Sequence, residues 1–318
     1  MMEDNHIYIR RVSVSFPSAQ GTVRVLREAD MTLRSGSVTA LVGESGSGKS
    51  ILGAAVLGLN DPEARTEGEI LYQGRNLLTL TEQEINHIRG KRIAWIAQDP
   101  VSAMDPVMPV GKQVGEMLSF REKLSKKDAE SEGTARLARF GLESPETVSE
   151  KYPFELSGGM AQRVLMAMMT AEDPVWLIAD EPTKGLDAFA RRRTAAIFRA
   201  MKENRNVGIL LITHDLELAA AVSSYAAVMY AGQIVEYGPA EEVLRRPVHP
   251  YTRGFAAAQP KQQMKPIPGT PPDLSALPEG CVFAPRCPFY WKPMCRTEQR
   301  MRTMGDRQVR CWKKEVSL

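Results

Sequence analysis

Three groups of residues in this 318-residue chain have types and spacings that could do chemistry. The first is Gly43-Glu44-Ser45-Gly46-Ser47-Gly48-Lys49-Ser50, which fits the pattern G-x-x-x-x-G-K-[ST]. Glycines at those places let backbone N–H groups turn inward around phosphate oxygens, and the start of a following helix adds partial positive charge. Lys49 would reach the terminal phosphates and Ser50 would ligate Mg²⁺. The second group is Asp180-Glu181, at the end of the apolar run Val175 to Ala179. One carboxylate is suited to holding Mg²⁺ through water, the other to polarising an attacking water as a general base. Standing alone, the same pair would also read as a helix N-cap with an acidic first turn. The third group is Cys281, Cys287, Cys295 and Cys311, which are all the cysteines of the chain. Their spacing, C-x5-C-x7-C-x15-C, lacks the paired C-x2-4-C knuckles of structural zinc sites. Four thiolates at irregular spacing suit a 4Fe–4S cluster, whose iron corners accept ligands from separate loops. Zinc, and disulfides or unligated thiols, are the alternatives.

These groups need a scaffold, and the flanking residues supply one. Val38 to Val42 is a short apolar strand leading into the glycine loop, and the Ala/Leu-rich stretch from Ile51 reads as a helix. A strand–loop–helix context separates a working phosphate loop from a chance match. Upstream, Ile7 to Phe16 and Val23 to Leu33 read as strands joined by a polar turn at residues 18–21, and Gly68 to Tyr72 as another. From Pro100 to Pro153 the strand signals fade and charged, helix-favouring segments such as Lys123 to Phe140 take over, as in a helical insertion. Beyond it, Gln162 to Thr170 and Arg191 to Asn204 read as helices, and Trp176 to Ala179 and Gly208 to Thr213 as buried strands. Asp180 and Glu181 then lie at the carboxyl end of a strand, where open α/β sheets bind ligands. A proline-rich linker, Gln259 to Pro278, precedes the cysteines.

Composition narrows the class. Apolar content of 43% and charged content of 25% suit a globular protein with a full core. No run approaches the ~18 to 20 apolar residues that cross a bilayer, and the polar start MMEDNHIYIR has no signal-peptide core, so a cytoplasmic protein is expected. Any service to a membrane would be as a peripheral subunit. The net charge of +3 divides into +6 from Lys261 onward and −3 before it. A basic tail can meet nucleic acid or anionic lipid, but a solvated face on a small module accounts for this one and no nucleic-acid partner is expected.

Leu156-Ser157-Gly158-Gly159-Met160, between the phosphate loop and the acidic strand end, resembles the signature of ATP-binding cassette (ABC) proteins. The resemblance covers most of residues 1 to 260. It implies an α/β fold: a P-loop NTPase core of ABC ATPase type with an antiparallel β subdomain, a helical subdomain at about 100–165, and a small C-terminal cysteine-rich module. The implied boundaries are 1–258 for the nucleotide domain and 259–318 for linker and module. It also implies roles. Gln98 matches the glutamine that contacts Mg²⁺ and the attacking water, His214 the histidine that contacts the γ-phosphate, and Gly185-Leu186-Asp187 the loop that meets a partner domain. Phe16 fits an aromatic that stacks on adenine. Ser157, Gly158 and Gly159 would serve ATP bound to a second cassette, so the chain would work as half of a pair.

Within that family the chain is most similar to ATPase subunits of oligopeptide, dipeptide and nickel importers. Ile96-Ala97-Gln98-Asp99-Pro100, Met229 to Glu236, His249-Pro250-Tyr251-Thr252, Pro266 to Pro272, Gly280-Cys281 and Ala284-Pro285-Arg286-Cys287-Pro288 carry the likeness. Residues 77–96 resemble the D-type subunit. The resemblance implies ATP and Mg²⁺ as ligands, a 4Fe–4S cluster at the matching cysteines, a second ATPase subunit of F type, two membrane permeases and an extracytoplasmic binding protein, with the chain peripheral on the cytoplasmic face. Phe154, Ala97 and Lys184-Gly185 depart from the usual residues, which leaves peptide and nickel chelate both open as cargo. A chromosome-maintenance or repair ATPase of the same superfamily would carry a long coiled coil between Gln98 and the signature, where this chain has 58 residues, and a translation-type one would carry two nucleotide domains. A regulatory ATP-binding module without hydrolysis would not need the intact Lys49, Asp180, Glu181 and His214 set.

Overall fold

A computed structural model describes residues 4–19, 21–122, 124–259 and 264–313. The chain forms two compact units, Met1–Leu80 with Leu210–Leu318, and Thr81–Ile209.

The first unit opens with two long strands, β1 (Ile7–Ser18) and β2 (Gly21–Leu33), paired antiparallel with Ile7 opposite Leu33 and Phe16 opposite Val23. Its next elements are β3 (Val38–Val42), α1 (Lys49–Leu57), β4 (Arg65–Tyr72) and β5 (Arg75–Asn76). Order β2-β1-β4-β5 makes a four-stranded antiparallel sheet. Ile7, Ile9, Val12 and Val14 of β1 are buried and Arg10 and Arg11 exposed, so the strand has one apolar face.

In the second unit, α2 (Glu82–Asn86) starts at a reciprocal cap between Thr81 and Glu84. After β6 (Ile93–Ile96) comes the helical insertion: α3 (Val110–Glu122), α4 (Lys126–Arg139) and α5 (Pro145–Ser149). The charged helix expected from Lys123 is α4, and it starts later because Ser125 caps it, accepting from the Asp128 N–H at 3.3 Å; Lys123 lies outside the described residues. α6 (Gly158–Met169), β7 (Trp176–Asp180) and α7 (Ala188–Arg205) complete the unit. β6 runs parallel to β7, Ile93 beside Trp176 and Ile96 beside Ala179. Arg136, 3% exposed, ties α4 to α6 by donating Nε–H to the Ala167 carbonyl at 3.0 Å.

β8 (Gly208–Thr213) leads back into the first unit, followed by α8 (Leu216–Val222), β9 (Tyr225–Tyr230), β10 (Gln233–Pro239), α9 (Pro250–Ala257), α10 (Lys292–Cys295), β11 (Arg302–Met304) and β12 (Arg307–Val309). Strand order here is β11-β12-β10-β9-β3-β8. β3 is parallel to β9, and β12 adds to β10 with Val309 opposite Glu236. All residues of β3 and β8 are buried, which is why both read as continuous apolar runs rather than alternating ones. Of the stretch expected to be a linker, 260–263 lie outside the described residues; Ile267, Leu274 and Leu277 pack against a core that includes Tyr230, Tyr251 and Phe283. Among the described residues no helix is long and apolar enough to cross a membrane.

Candidate functional site

The sequence-selected residues divide between the units. In the first, β3 delivers the chain into the glycine loop and α1 leaves it. At Gly43 a Cβ would lie 2.2 Å from the Met229 carbonyl oxygen, so only glycine lets the loop leave the strand beside β9. Lys49 is 6% exposed and its ammonium donates to the carbonyls of Gly43 and Glu44, both at 2.9 Å. The N-cap of α1 is Gly48, with no side-chain acceptor for the first helical N–H groups. The Ser47 hydroxyl is buried without a hydrogen-bond partner. A buried orphan of this kind costs about 1–3 kcal/mol, and an anion accepting from it and from the helix start removes that cost. Phe16 is half-buried in β1, and the exposed His214 follows β8 directly. Beyond His214, Asp215 caps α8 by accepting from the Glu217 and Leu218 N–H groups at 3.0 Å.

Glu44 has further partners that no sequence spacing reveals. Its N–H donates to the Tyr251 hydroxyl at 2.9 Å, and its carboxylate accepts two bonds from the Arg286 guanidinium, at 2.9 and 3.1 Å. Burial pushes the Tyr251 phenol above its ordinary range, so it stays a neutral hydroxyl.

In the second unit, Asp180 ends β7 and is 5% exposed. Glu181 follows with φ +46°, a left-handed conformation that costs a non-glycine residue about 1–3 kcal/mol. The turn after it closes with the Lys184 N–H donating to the Glu181 carbonyl at 3.0 Å. The helix-cap reading of Asp180-Glu181 therefore fails: the next helix, α7, is capped by Asp187, which accepts from the N–H groups of Phe189 and Ala190 at 2.8 Å. Gln98 is exposed two residues beyond β6. Ser157 is the N-cap of α6, its hydroxyl accepting from the Met160 N–H at 3.4 Å, and Gly158 and Gly159 form the first turn. Ser157 and Gly158 are exposed, which leaves this helix start open to an incoming anion.

The four cysteines line one small cavity with His249, Phe283, Phe289 and Trp312. Burial raises the Cys281 thiol to about 12 and the Cys287 thiol to about 11, and raises Cys311 as well. Cys295 accepts from the Trp291 N–H at 3.4 Å and the Trp312 indole N–H at 3.2 Å. Among the described residues no group of three or more His, Cys, Asp or Glu is arranged to hold a metal ion.

A phosphate loop between a buried strand and a helix, on a mixed α/β scaffold with a helical insertion, defines a P-loop ATPase of cassette type. The fold is similar to a dimeric, post-hydrolysis structure of the ATP-binding cassette MJ0796 bound to ADP and Pi, with TM-score 0.67, 22% identity and 74% of this chain and 98% of that one covered. It is similar also to cbiO1 from Clostridium perfringens, with TM-score 0.64, 26% identity and coverages of 76% and 92%. A family model described as ABC transporter matches residues 26–184, and one described as oligopeptide/dipeptide transporter, C-terminal region, matches 235–295. The dipeptide transport ATP-binding protein DppD of Bacillus subtilis is 38% identical over 96% of this chain and 93% of its own length. For the oligopeptide transport ATP-binding protein OppD of Salmonella typhimurium the figures are 39%, 88% and 85%. The chain belongs to the ABC transporter family, in its oligopeptide/dipeptide branch.

Proposed function

We propose that this chain is the ATP-hydrolysing subunit of a membrane importer for di- or oligopeptides, acting as half of an ATP-sandwiching pair. The observation that carries the reading is the loop with its buried Lys49, uncapped α1 start and orphaned Ser47 hydroxyl. It lies in a chain that matches, over nearly its whole length, relatives named for dipeptide and oligopeptide transport.

In this mechanism Lys49 and the loop N–H groups from Gly43 to Ser50 bind the phosphates, and Phe16 stacks on the adenine. Ser50, Asp180 and Gln98 would hold Mg²⁺, which would neutralise charge on the terminal phosphates. Glu181 takes the proton of the attacking water, and His214 donates to the γ-phosphate. Ser157, Gly158 and Gly159 offer the α6 start to the ATP of the second subunit, a different F-type chain. Gln98 reports nucleotide state to the helical insertion at about 100–165, within a nucleotide domain of residues 1–258. Two permeases and an extracytoplasmic binding protein complete the importer, with this chain on the cytoplasmic face. The test is reconstitution with those partners in proteoliposomes. Peptide-loaded binding protein is expected to stimulate ATP hydrolysis and drive uptake of labelled dipeptide. Hydrolysis indifferent to peptide, or uptake of a nickel chelate instead, would overturn the reading.

The same reading assigns a 4Fe–4S cluster to Cys281, Cys287, Cys295 and Cys311 in the module at 259–318. What supports the assignment is that all four cysteines line one cavity and that two N–H donors already meet the Cys295 sulfur; burial, which favours the neutral thiols, is a cost that ligation would have to overcome. Anaerobically purified protein is expected to contain iron and to absorb broadly near ~400 nm, the behaviour of a cysteine-ligated cluster. Zinc at one per chain with no iron would refute it.

A further inference from the structure

We propose that Arg286, in the cysteine-rich segment, is a positioning residue for the phosphate loop: through Glu44 it holds the loop in the shape that receives ATP. The inference rests on the reading of Gly43 to Ser50 as the ATP phosphate site.

Arg286 is only 7% exposed, and every group it donates from has a partner. Nε–H goes to the Pro268 carbonyl at 2.9 Å, one terminal nitrogen to Glu44 at 2.9 Å and the Tyr230 hydroxyl at 3.3 Å, and the other to Glu44 at 3.1 Å. The guanidinium is thus a planar fork that fixes both the place and the orientation of one carboxylate, which a lysine could not do. Glu44 is a loop residue whose remaining polar groups are also committed. Its N–H is held by Tyr251, and its carbonyl accepts from Lys49 and from the Ser47 N–H, at 2.9 and 3.3 Å. One residue therefore carries the arginine on its side chain and the phosphate-binding lysine on its backbone.

The anchor itself is packed on aromatic rings. Arg286 closes a 3₁₀ turn, residues 284–286, seated on Phe283, whose ring meets Tyr230 at 5.2 Å and Tyr251 at 5.5 Å between centroids. A carboxylate beside a site for a polyanion would repel it if left unpaired. Paired with Arg286 it becomes a neutral strut instead. Nothing in the known chemistry of a phosphate loop requires an arginine 242 residues away; the geometry supplies the reason for it.

The test is equilibrium Mg-ATP binding by the full chain and its variants, and steady-state Mg-ATP hydrolysis by each of them assembled with the second ATPase subunit and the permeases. R286M is expected to raise KM and weaken ATP binding about tenfold, the scale of a lost bidentate charged contact. kcat should stay within about threefold, because the strut acts on binding rather than on the proton taken by Glu181. R286K should restore part of the affinity. E44Q keeps the arginine and probes the other end: it should raise KM like R286M, and the double variant should be no worse than the worse single one. Unchanged KM in both single variants, a fall in KM in E44Q, or multiplying effects in the double variant would overturn the proposal. If the unsubstituted chain fails to bind Mg-ATP at all, the ATP reading fails and takes this inference with it.

Discussion

Glu181→Gln is expected to lower steady-state ATP turnover by roughly 10²–10⁴-fold while leaving ATP bound. The substitution is nearly isosteric, so the turn after β7 and its Lys184 contact should persist. The left-handed backbone at this residue needs no side-chain chemistry that glutamine lacks. What is lost is the ability to accept a proton from water. Binding should survive because Lys49, Ser47 and the α1 start are untouched, so the defect falls in kcat and not in affinity. A pair that closes on ATP and cannot hydrolyse it should accumulate, visible as nucleotide retained through gel filtration and as a shift from monomer to dimer with the partner subunit. The contrast is Lys49→Ala, which removes the ammonium from the loop and should lose binding itself. Full turnover by the glutamine variant would exclude Glu181 as the general base and return the acidic strand end to a metal-holding role alone.

What was legible in the sequence was whatever local rules govern. β3, β7 and β8 were visible as short apolar runs because strands buried on both faces need no alternation. β1 and β2 run two residues further into their turn than the pattern implied, Ser18 and Gly21 still being paired. α3 falls in the stretch expected to be a helical insertion, but its own bounds were not legible, because Gly111 and Gly115 lower its helical signal. The structure explains both: a Cβ on Gly111 would lie 2.5 Å from Cβ of Ser149, and one on Gly115 2.7 Å from the Ala129 carbonyl oxygen. Those glycines answer to neighbouring helices, so a local reading could not value them. β9 and β10 were read as a family motif and not as strands; Ala231 and Gly232, at φ +45° and +77°, turn one back on the other. Of the candidate site, the loop and the acidic strand end could be read from spacing; Ser157 to Gly159 stood out only by family resemblance, and α6 begins at Gly158, before the helix expected from Gln162. The hold of Arg286 and Tyr251 on Glu44 could not, since it joins segments more than 200 residues apart.

The cysteine-rich segment can act on the loop only if it is fixed to the sheet, and one of the fixing points is a buried ion pair. Glu236 of β10 is fully buried and accepts from the N–H groups of Val248 and His249 at 3.0 and 2.9 Å, and from Arg307 of β12 at 3.2 Å. Arg307 donates also to the carbonyls of Glu242 and Arg246, at 2.9 and 2.6 Å, and pairs with the Glu242 carboxylate. Arg307→Met is expected to destabilise this unit by about 3–5 kcal/mol, because it leaves a buried carboxylate without its cation. Burial already raises the Glu236 acid above its ordinary range. A folded-state value raised above the unfolded one means the folded state keeps its proton where the unfolded chain has lost it, so stability falls as pH rises through that window. Removing the cation raises the carboxyl further, and the methionine variant's deficit should therefore shrink as pH is lowered. Replacing both partners, Glu236→Gln with Arg307→Met, removes the uncompensated charge while an amide oxygen can still accept from the Val248 and His249 N–H groups, and should recover much of the loss. Urea midpoints at several pH values measure all three. A double variant as unstable as the single one, or a deficit that does not change with pH, would show that Arg307 matters through its packing and carbonyl contacts and not as the counter-charge of Glu236.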